Sequence, residues 1–496
     1  MVRSSLLVCA LLLCSSAMVR TAHAGPLPWD EILHLADGHY NNAARIAYDP
    51  CEGELRLAWK WQIGTDSNTR QIAAATYERS PPAWSFQDLT ASSSSKEFPD
   101  VAVRNGVAHV VWRESLGGGD WQIFYADDRG GAWSTPAQIT FDTTVKGSPV
   151  IAVGDSSGIV HIAYATAEPT LANNEIWYLE YDTIGDTVES LRLTKNTVND
   201  NDATIGVTAG GTVSIAWVGG GFSGAIRCME GTIGGFTEVP TGVTVSAAQP
   251  DLELDEDGRQ HIAYRATVGS NRVIRYVRRD GGGFTTPLDA SASDAFYTQP
   301  SLLVAAGGFP SVAYVTNTAG SKGLYVAQWD LDQFNLPDTV HADAAVTYNE
   351  TDFEQDPFRV GLPSGLMTSV TAFLAVSVGY VEADTVRADL RVFQGPVIAV
   401  GVPDVATPAN GLVLTTAPNP FVNGTTVRFT LPEASGNVQL DVHDVTGRRI
   451  ARLLDAPRTA GIHDVRWSPD ALPAGVYWLQ LTADGGAKTT AVQRIR

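Results

Sequence analysis

Residues 99–112 read PDVAVRNGVAHVVW, and variants of this text return at residues 149–164, PVIAVGDSSGIVHIAY, and at residues 250–264, PDLELDEDGRQHIAY. Each segment alternates apolar residues with others, passes through a Gly-containing turn and ends on a small residue followed by an aromatic. This alternation is the period of a half-buried strand. Two such strands around a short turn predict a β-hairpin.

The hairpin pattern occurs in seven segments of the chain, the last of them weaker. Their closing aromatics are Trp59, Trp112, Tyr164, Trp217, Tyr264, Tyr314 and Phe373. The intervals between them are 53, 52, 53, 47, 50 and 59 residues. A period of about fifty residues indicates that one supersecondary unit is repeated.

Two further strands are predicted after most hairpins. The third-strand candidates are residues 122–128, 175–182, 273–280 and 323–330. The fourth strand follows an aromatic, which is Trp84, Trp133, Phe236, Phe284 or Phe334. Four antiparallel strands per unit, repeated seven times, are typical of a β-propeller. We therefore predict an all-β chain with a seven-bladed β-propeller over residues 25–394, and six blades is the alternative because the seventh unit is weak.

The seventh unit lacks a fourth strand of its own, because the Pro-rich residues 395–409 follow its third-strand candidate at 388–393. Residues 29–38, WDEILHLADG, precede the first unit and resemble a fourth strand, with Trp29 in the aromatic position. We predict that this segment completes the last blade, which would leave no open sheet edge.

The pattern changes after residues 395–409, which are predicted to be an extended linker. Residues 410–496 contain seven short strand candidates, which predict a small β-sandwich. This segment carries 9 Lys and Arg against 7 Asp and Glu, whereas the whole chain has a net charge of -20. The acidic charge therefore lies in the ring, which excludes a nucleic-acid binder that follows phosphates.

Five short blocks of this C-terminal segment occur in a recognisable order. They are residues 417–421 (APNPF), 426–429 (TVRF), 442–449 (VHDVTGRR), 460–463 (AGIH) and 472–477 (LPAGVY). Together they closely resemble the C-terminal sorting domain of type IX secretion cargo. The sorting motif comprises Asn419, Pro420, Gly447, Gly461, Gly475 and Tyr477. The final strand departs mildly from the family, since Arg494 stands where lysine is usual.

The resemblance implies an Ig-like sandwich that carries its cargo across the outer membrane of a Gram-negative-type bacterium. Its partner would be the outer-membrane secretion machinery, and in that family the domain is often cleaved off. The residues themselves also allow a stabilising or adhesive Ig-like module, because Asn419-Pro420 and Thr446-Gly447 are ordinary turn chemistry.

Residues 1–24 have the features of a signal peptide. Arg3 precedes an apolar run of 14 residues, which is too short to span a bilayer, and Ala22 and Ala24 supply the small residues for cleavage before Gly25. A membrane anchor is the alternative for this segment. We predict no membrane span after it. The two remaining cysteines, Cys51 and Cys228, lie three units apart and should not form a disulfide.

Residues 126–133, ADDRGGAW, loosely resemble the Asp-box turn of sialidase-like propellers, with Asp128, Gly130 and Trp133 in place. In that family the turn is structural and lies outside the active site. The arginine block of sialidases has no equivalent here, because Arg45 lacks its flanking residues. A sialidase also needs clustered arginines to bind an acidic sugar. The resemblance therefore supports the fold and not the reaction.

Three histidines, His109, His161 and His261, occupy the same position in three units. Equivalent positions in different blades are spread around the axis, so we predict hydrogen-bonding roles within the blades. The acidic turns at Asp155 and at residues 255–257 are the candidates for Ca²⁺, but each offers fewer oxygens than the six to eight that Ca²⁺ takes. We assign no catalytic, cofactor-binding or metal-ligating residue.

These features predict a secreted or cell-surface propeller that binds extracellular carbohydrate or protein. One alternative is a secreted glycan-cleaving enzyme, a glycosidase or lyase, with two carboxylates at the propeller axis. Another is a structural component of the cell envelope that binds no ligand. A pocket with two close carboxyl groups would favour the enzyme, whereas a broad polar face would favour binding.

Overall fold

The computed structural model describes residues 29–494 with gaps. The gaps are 38, 50–53, 63–69, 80–81, 105, 130, 155–157, 169–172, 209, 222, 245, 256, 295, 298, 306–307, 331–332, 336, 362–367, 383–384, 399–412, 418–424, 432–435, 444–447, 459–460, 470–471, 474 and 484–485. The described residues form strands and no helix, and they divide into two compact units with a boundary at Gly401.

The first unit contains seven antiparallel sheets of described residues, six built from consecutive strands and one completed by the N-terminal strand. Strand β1 is Asp30–Leu35, and sheet 1 consists of β2 Asn42–Asp49, β3 Glu54–Trp61, β4 Gln71–Arg79 and β5 Pro82–Asp88. Sheet 2 consists of β6 Lys96–Arg104, β7 Val107–Gly117, β8 Asp120–Asp127 and β9 Ala137–Gln138. Sheet 3 consists of β10 Val150–Val153, β11 Ile159–Glu168, β12 Asn173–Asp182 and β13 Thr187–Arg192. Sheet 4 consists of β14 Asp200–Val207, β15 Val213–Gly219, β16 Ala225–Thr232 and β17 Gly235–Glu238.

The last three sheets of this unit are more irregular. Sheet 5 consists of β18 Ala247–Leu254, β19 Gln260–Val268, β20 Asn271–Asp280, β21 Gly283–Phe284 and β22 Leu288–Asp289. Sheet 6 consists of β23 Ser301–Ala305, β24 Phe309–Thr316, β25 Gly323–Asp330, β26 Gln333–Phe334 and β27 Asp338–His341. Sheet 7 consists of β28 Thr347–Gly361, β29 Thr368–Glu382, β30 Thr385–Ile398 and, at its edge, β1.

The sheets of the first unit form a closed ring. The first strands contact each other in the cycle β2, β6, β10, β14, β18, β23, β28 and back to β2. Each pair of neighbouring sheets shares a buried apolar cluster, and the described residues form seven such clusters. Each sheet thus buries both faces against its neighbours, which is the arrangement of a β-propeller.

The N-terminal strand closes the ring as the sequence predicts. Strand β1 pairs antiparallel with β30, from Asp30 opposite Gln394 to Leu35 opposite Leu390. Leu33 and Leu35 pack against the cluster between sheets 7 and 1, and the Trp84 indole donates a hydrogen bond to the Ile32 carbonyl at 3.0 Å. Sheet 7 therefore contains strands from both ends of the unit.

Most of the predicted strands are present, with two differences. The segment at Trp133 is a turn, and the fourth strand of sheet 2 is only the two residues of β9. Strand β30 continues to Ile398, four residues into the segment predicted as linker, with Pro396 opposite Thr371. The ladder of β1 with β30 ends at Asp30 opposite Gln394, so Pro396 lies where β30 pairs with β29 on one side only, a position that tolerates proline.

The second unit contains two sheets of described residues around one apolar core. The first consists of β31 Val413–Ala417, β32 Thr425–Leu431 and β35 Gly461–Trp467. The second consists of β34 Arg449–Asp455, β33 Gln439–His443, β36 Gly475–Ala483 and β37 Gly486–Arg494. Phe429, Val442, Trp467 and Leu479 are buried in the core. The unit is therefore a small β-sandwich.

Candidate functional site

The two ends of the ring differ in the connections they carry. The connections from second to third strand, and from each sheet to the first strand of the next, lie at one end, which we call the loop face. Among the described residues, large apolar side chains of this face that remain exposed are Leu116, Phe141, Val145, Val198, Val268 and Phe296. Phe141 is 75% exposed and Phe296 is 57% exposed. They lie on the connections of several sheets, and an end of the ring that exposes such side chains is a candidate binding surface.

Charged side chains beneath the loop face are held rigidly. The Arg113 guanidinium lies between two rings, 4.7 Å from the Phe98 centroid and 4.5 Å from that of Trp121. It also forms an ion pair with Glu97 and donates a hydrogen bond to the Lys146 carbonyl at 3.1 Å. This network holds the part of the loop face next to sheet 2 in a fixed arrangement.

The inner wall of the ring carries a repeated backbone irregularity. Strands β2, β6, β14 and β18 each contain a bulge with a left-handed non-glycine residue, and φ is 52° at Ala43, 52° at Phe98, 50° at Asp202 and 51° at Gln249. A bulge turns the following side chains in a new direction, and bulges are common next to functional sites. After the bulge, regular pairing with the second strand of the sheet resumes at Arg45 in β2, Asp100 in β6, Thr204 in β14 and Asp251 in β18.

Carboxylates on the inner wall bond to the neighbouring sheet. The Asp100 Oδ2 accepts a hydrogen bond from Ile151 N–H at 2.8 Å, and Asp251 Oδ2 accepts one from Leu302 N–H at 2.6 Å. Across the seam, Asp352 Oδ2 accepts one from Ile46 N–H at 2.6 Å. In each case the donor lies on the first strand of the next sheet. These bonds tie the first strands together around the axis.

We call Arg45, Asp100, Asp251 and Asp352 the axial cluster. Burial raises the pKa of Asp100 to about 7 and that of Asp251 to about 6. The charge of Asp352 adds to both increases, while Arg45 opposes them. The Arg45 Nε lies 4.0 Å from Asp100 Oδ1. These charges therefore share one region of low dielectric, where a carboxylic acid can keep its proton near neutral pH.

The three histidines hydrogen-bond within their sheets, as predicted. In each sheet the His Nδ1 lies 2.6 Å from a tyrosine hydroxyl, and the pairs are His109 with Tyr125, His161 with Tyr178 and His261 with Tyr276. All three imidazoles are buried, and burial lowers the pKa of His109 to about 4. The part of the chain that the structure describes brings no group of His, Cys, Asp or Glu into a metal-binding cluster.

Asp128, in the turn compared above with an Asp box, and Asp255, in an acidic turn considered for Ca²⁺, both accept hydrogen bonds from backbone N–H groups. The Asp128 Oδ1 accepts a hydrogen bond from Ala108 N–H at 2.7 Å, so this turn holds the second strand of its sheet, whereas Gly130 lies outside the described residues. The Asp255 Oδ1 accepts bonds from Asp257 N–H at 3.0 Å and Arg259 N–H at 2.9 Å. Asp155 lies outside the described residues.

Part of the sorting motif lies in described strands. Gly461 begins β35 and Gly475 begins β36, while Tyr477 is buried and its hydroxyl donates a hydrogen bond to the Pro473 carbonyl at 2.7 Å. Asn419, Pro420 and Gly447 lie outside the described residues, as do Ala24 and Gly25 at the predicted cleavage site.

The remaining predictions concern cysteine and the membrane. Cys228 is buried and free among the described residues, and burial raises the pKa of its thiol to about 12. Cys51 lies outside the described residues, so the absence of a bond between the two stays a prediction. Within the described ranges, no helix is long and apolar enough to cross a membrane.

Sequence analysis missed the axial carboxylates, although a signal for two of them was present. Asp100 and Asp251 each follow a proline at the start of a repeat, in Pro99-Asp100 and Pro250-Asp251. A polar residue at the start of an otherwise apolar inner strand indicates a hydrogen-bonding role. Asp352 has no such signal, because its repeat departs from the pattern at this point.

Comparison with known proteins was made by sequence and by structure. No family model matches the chain, and no curated protein matches it. The resemblance of residues 410–496 to a sorting domain therefore stays a prediction.

Solved structures that are similar to this chain include three enzymes. They are a fungal alcohol oxidase in complex with copper (13% identity, TM-score 0.48, covering 95% of this chain and 100% of that chain), an ulvan lyase (12%, 0.42, 57% and 78%) and a sialidase from Trypanosoma rangeli (10%, 0.40, 91% and 83%). At such identities the likeness concerns the fold alone. The ring is defined by the sheets of this chain and by the contacts between them.

Proposed function

We propose that the first unit is a seven-bladed β-propeller and that the second is an Ig-like sandwich. The closed cycle of first strands and the buried cluster between each pair of neighbouring sheets support seven blades. The three-stranded and four-stranded sheets around one core support the sandwich. In this arrangement, a rigid ring presents one loop-rich end for binding.

The function that the geometry supports best is the binding of an extracellular glycan or protein at the loop face. The observation that carries this proposal is the exposure of large apolar side chains on the connections of this face, with Phe141 between sheets 2 and 3 and Phe296 between sheets 5 and 6. Aromatic rings stack on the apolar faces of sugars and are favoured at the centres of protein interfaces. The acidic ring favours neutral or basic ligands.

A binding array tests this proposal. The mature chain is applied to an array of glycans and secreted proteins, beside the variant Phe141→Ser/Phe296→Ser and the control variant Ile184→Ser. Ile184 is 70% exposed on the turn between β12 and β13, at the opposite end of the ring. We expect the loop-face variant to lose binding at least tenfold and the control to retain it. Equal binding by all three proteins, or no binding by any, would exclude the loop face as the binding surface.

A second candidate function is cleavage of a glycan at the axis. It is favoured by the axial cluster, because the raised pKa of Asp100 suits a general acid and a nearby carboxylate could act with it. Against it, the carboxylates already accept backbone hydrogen bonds from the next sheet. Turnover by the mature chain on the same glycans, abolished in Asp100→Asn, would favour this function over binding.

Export to the outside of a Gram-negative-type cell belongs to the same proposal. It is supported by the signal-peptide features of residues 1–24 and by the sorting motif of residues 410–496. The secretion machinery of the outer membrane would recognise the second unit, and the ring would reach the medium or the cell surface.

A further inference from the structure

A cleft of about 340 Å³ lies between sheets 1 and 2, at the end of the ring opposite the loop face. Its sides are the start of β3, the outer strands β4 and β5, and the turn that contains Trp133. The volume is at the lower end of the roughly 300–1,000 Å³ that is usual for small-molecule sites. The loop face and the axial cluster do not contribute to this cleft.

Sheet 1 lacks the histidine and tyrosine pair of sheets 2, 3 and 5, and the cleft lies beside the positions that this pair occupies in those sheets. Arg56 has the strand position of His109, His161 and His261. Ala74 has the position of Tyr125, since Ala58 opposes Ala74 just as Val111 opposes Tyr125. An alanine leaves empty the space that a tyrosine ring fills elsewhere. The substitution therefore opens a cavity beside Arg56.

One wall of the cleft is a regular polar surface. Arg56 opposes Thr76, and Thr76 opposes Ser85, so the three side chains form one row across sheet 1. Glu54 and Glu78 form the next row. Because residues that oppose each other share a face of the sheet, all of these groups point to the same side. The wall therefore offers hydrogen-bond donors and acceptors that are separated by the distance between neighbouring strands.

The opposite wall, from sheet 2, carries an aromatic ring as well as Asp128. The Trp133 indole is half-buried and packs against the cluster between sheets 1 and 2, so its position is fixed from behind. A rigid indole that faces a row of polar groups is the arrangement that suits a sugar ring. The ring presents C–H groups on its faces and hydroxyls at its edge.

Arg56 is the cationic side chain among the residues that line the cleft. Its side chain is buried, it forms an ion pair with Glu54, and its Nε lies 3.5 Å from Asp128 Oδ2. Within the described part of the chain, this buried Nε has no hydrogen-bond partner. Glu54 and Asp128 balance the charge of Arg56, so the guanidinium is held in place at the cleft wall.

We propose that this cleft binds one or two residues of a neutral saccharide, with a sugar ring on Trp133 and its hydroxyls on the polar wall. Glu54, Glu78 and Asp128 outnumber Arg56, so the cleft repels acidic sugars. The hydroxyls of a neutral sugar both donate and accept, which matches the mixture of carboxylate, guanidinium and hydroxyl groups on the wall. This inference is independent of the loop face.

The test is a titration of the mature chain with neutral disaccharides of glucose, xylose and mannose. Binding is measured by calorimetry and by ligand NMR. The variant Arg56→His/Ala74→Tyr restores the pair of the other sheets and should fill the cleft. Trp133→Ala removes the indole, and Gln87→Ala alters an exposed lining residue without burdening the fold. Phe141→Ser/Phe296→Ser, the loop-face variant, serves as the matched control.

We expect one of the neutral disaccharides to bind, with at least tenfold weaker binding in the filled variant and in Trp133→Ala. Gln87→Ala should weaken binding about threefold, and the loop-face variant should bind as the parent does. Equal affinity in Trp133→Ala and the parent would overturn the proposal. It would also be overturned if no neutral saccharide bound, or if a glucuronate oligosaccharide or choline bound more tightly. The loop-face variant keeps the two proposals apart, because it should lose binding on the array and retain disaccharide binding in the cleft.

Discussion

Single polar side chains on the inner wall link neighbouring sheets through hydrogen bonds. A carboxylate oxygen of Asp100 stands 2.8 Å from a backbone N–H of the next sheet, although the charge of Asp100 is disfavoured there. Its pKa of about 7 in the folded chain is above the ordinary aspartate value of 3.8. The folded ring therefore holds this proton more tightly than the unfolded chain does. The resulting stabilisation is present at low pH and is lost as the pH rises towards 7.

We predict that Asp100→Asn stabilises the ring at pH 8. The amide keeps an oxygen for Ile151 N–H and removes the buried charge. One pKa unit corresponds to about 1.4 kcal/mol, so the free energy of unfolding should rise by at least about 1 kcal/mol. Urea denaturation of the parent chain and of Asp100→Asn measures this free energy of unfolding. The difference should shrink as the pH is lowered towards 4, and Asp280→Asn, at an exposed site, should show little change. A difference that does not vary with pH would contradict this account of Asp100.

We predict that Tyr178→Phe destabilises the ring by about 1–3 kcal/mol. The change removes the hydroxyl that lies 2.6 Å from His161 Nδ1 and donates a hydrogen bond to Glu180 at 2.7 Å. The buried imidazole then loses a partner. Tyr325→Phe is the control, because among the described residues its hydroxyl bonds the Ser321 carbonyl alone, at a less buried site. If both variants cost the same, the His161 contact adds nothing to stability.

Strand β1 pairs with β30 and completes the sheet that joins the two ends of the ring. A chain that begins at Tyr40 loses the ladder to β30 and the packing of three half-buried apolar side chains, each worth up to about 1.5–3 kcal/mol when fully buried. We expect a lower melting temperature and aggregation through the open edge of sheet 7. Calorimetry and light scattering measure these effects.

A chain that ends at Ile398 provides the control for this truncation. It lacks the second unit and keeps every strand of the ring, so the ring should melt nearly as it does in the full chain. If the chain that begins at Tyr40 melts like the full ring, the closing role of β1 is wrong.

The elements were more predictable than the site, for a physical reason. Alternation within a hairpin is local, so residues 99–112 contain enough pattern to predict β6 and β7. Even the closing strand could be predicted, because the seventh unit visibly lacked a partner for β30. The axial cluster joins residues from sheets 1, 2, 5 and 7, which no local pattern connects. The cleft was hidden because Arg56 and Ala74 are ordinary residues until they are aligned with the histidine and tyrosine pairs.

The whole molecule combines an acidic ring with a small second unit whose proposed role is export. Deleting residues 410–496 should leave the protein in the periplasm of its native host, because the outer-membrane machinery would no longer recognise it. Cell fractionation and surface labelling measure the distribution of the protein. Trp478→Ser, which alters an exposed side chain of the second unit, should not block export if the motif residues are the recognised part. Normal surface appearance of the truncated chain would contradict the sorting role.

The central claim is that the ring binds an extracellular ligand at its loop face and does not cleave it. The most direct measurement incubates the mature chain with each glycan that it retains on the array and follows bound ligand and released products together. We predict saturable binding that is lost in Phe141→Ser/Phe296→Ser, with the ligand recovered intact. Release of shortened glycans by the parent chain, with loss of that release in Asp100→Asn, would contradict the claim and assign the function to the axis.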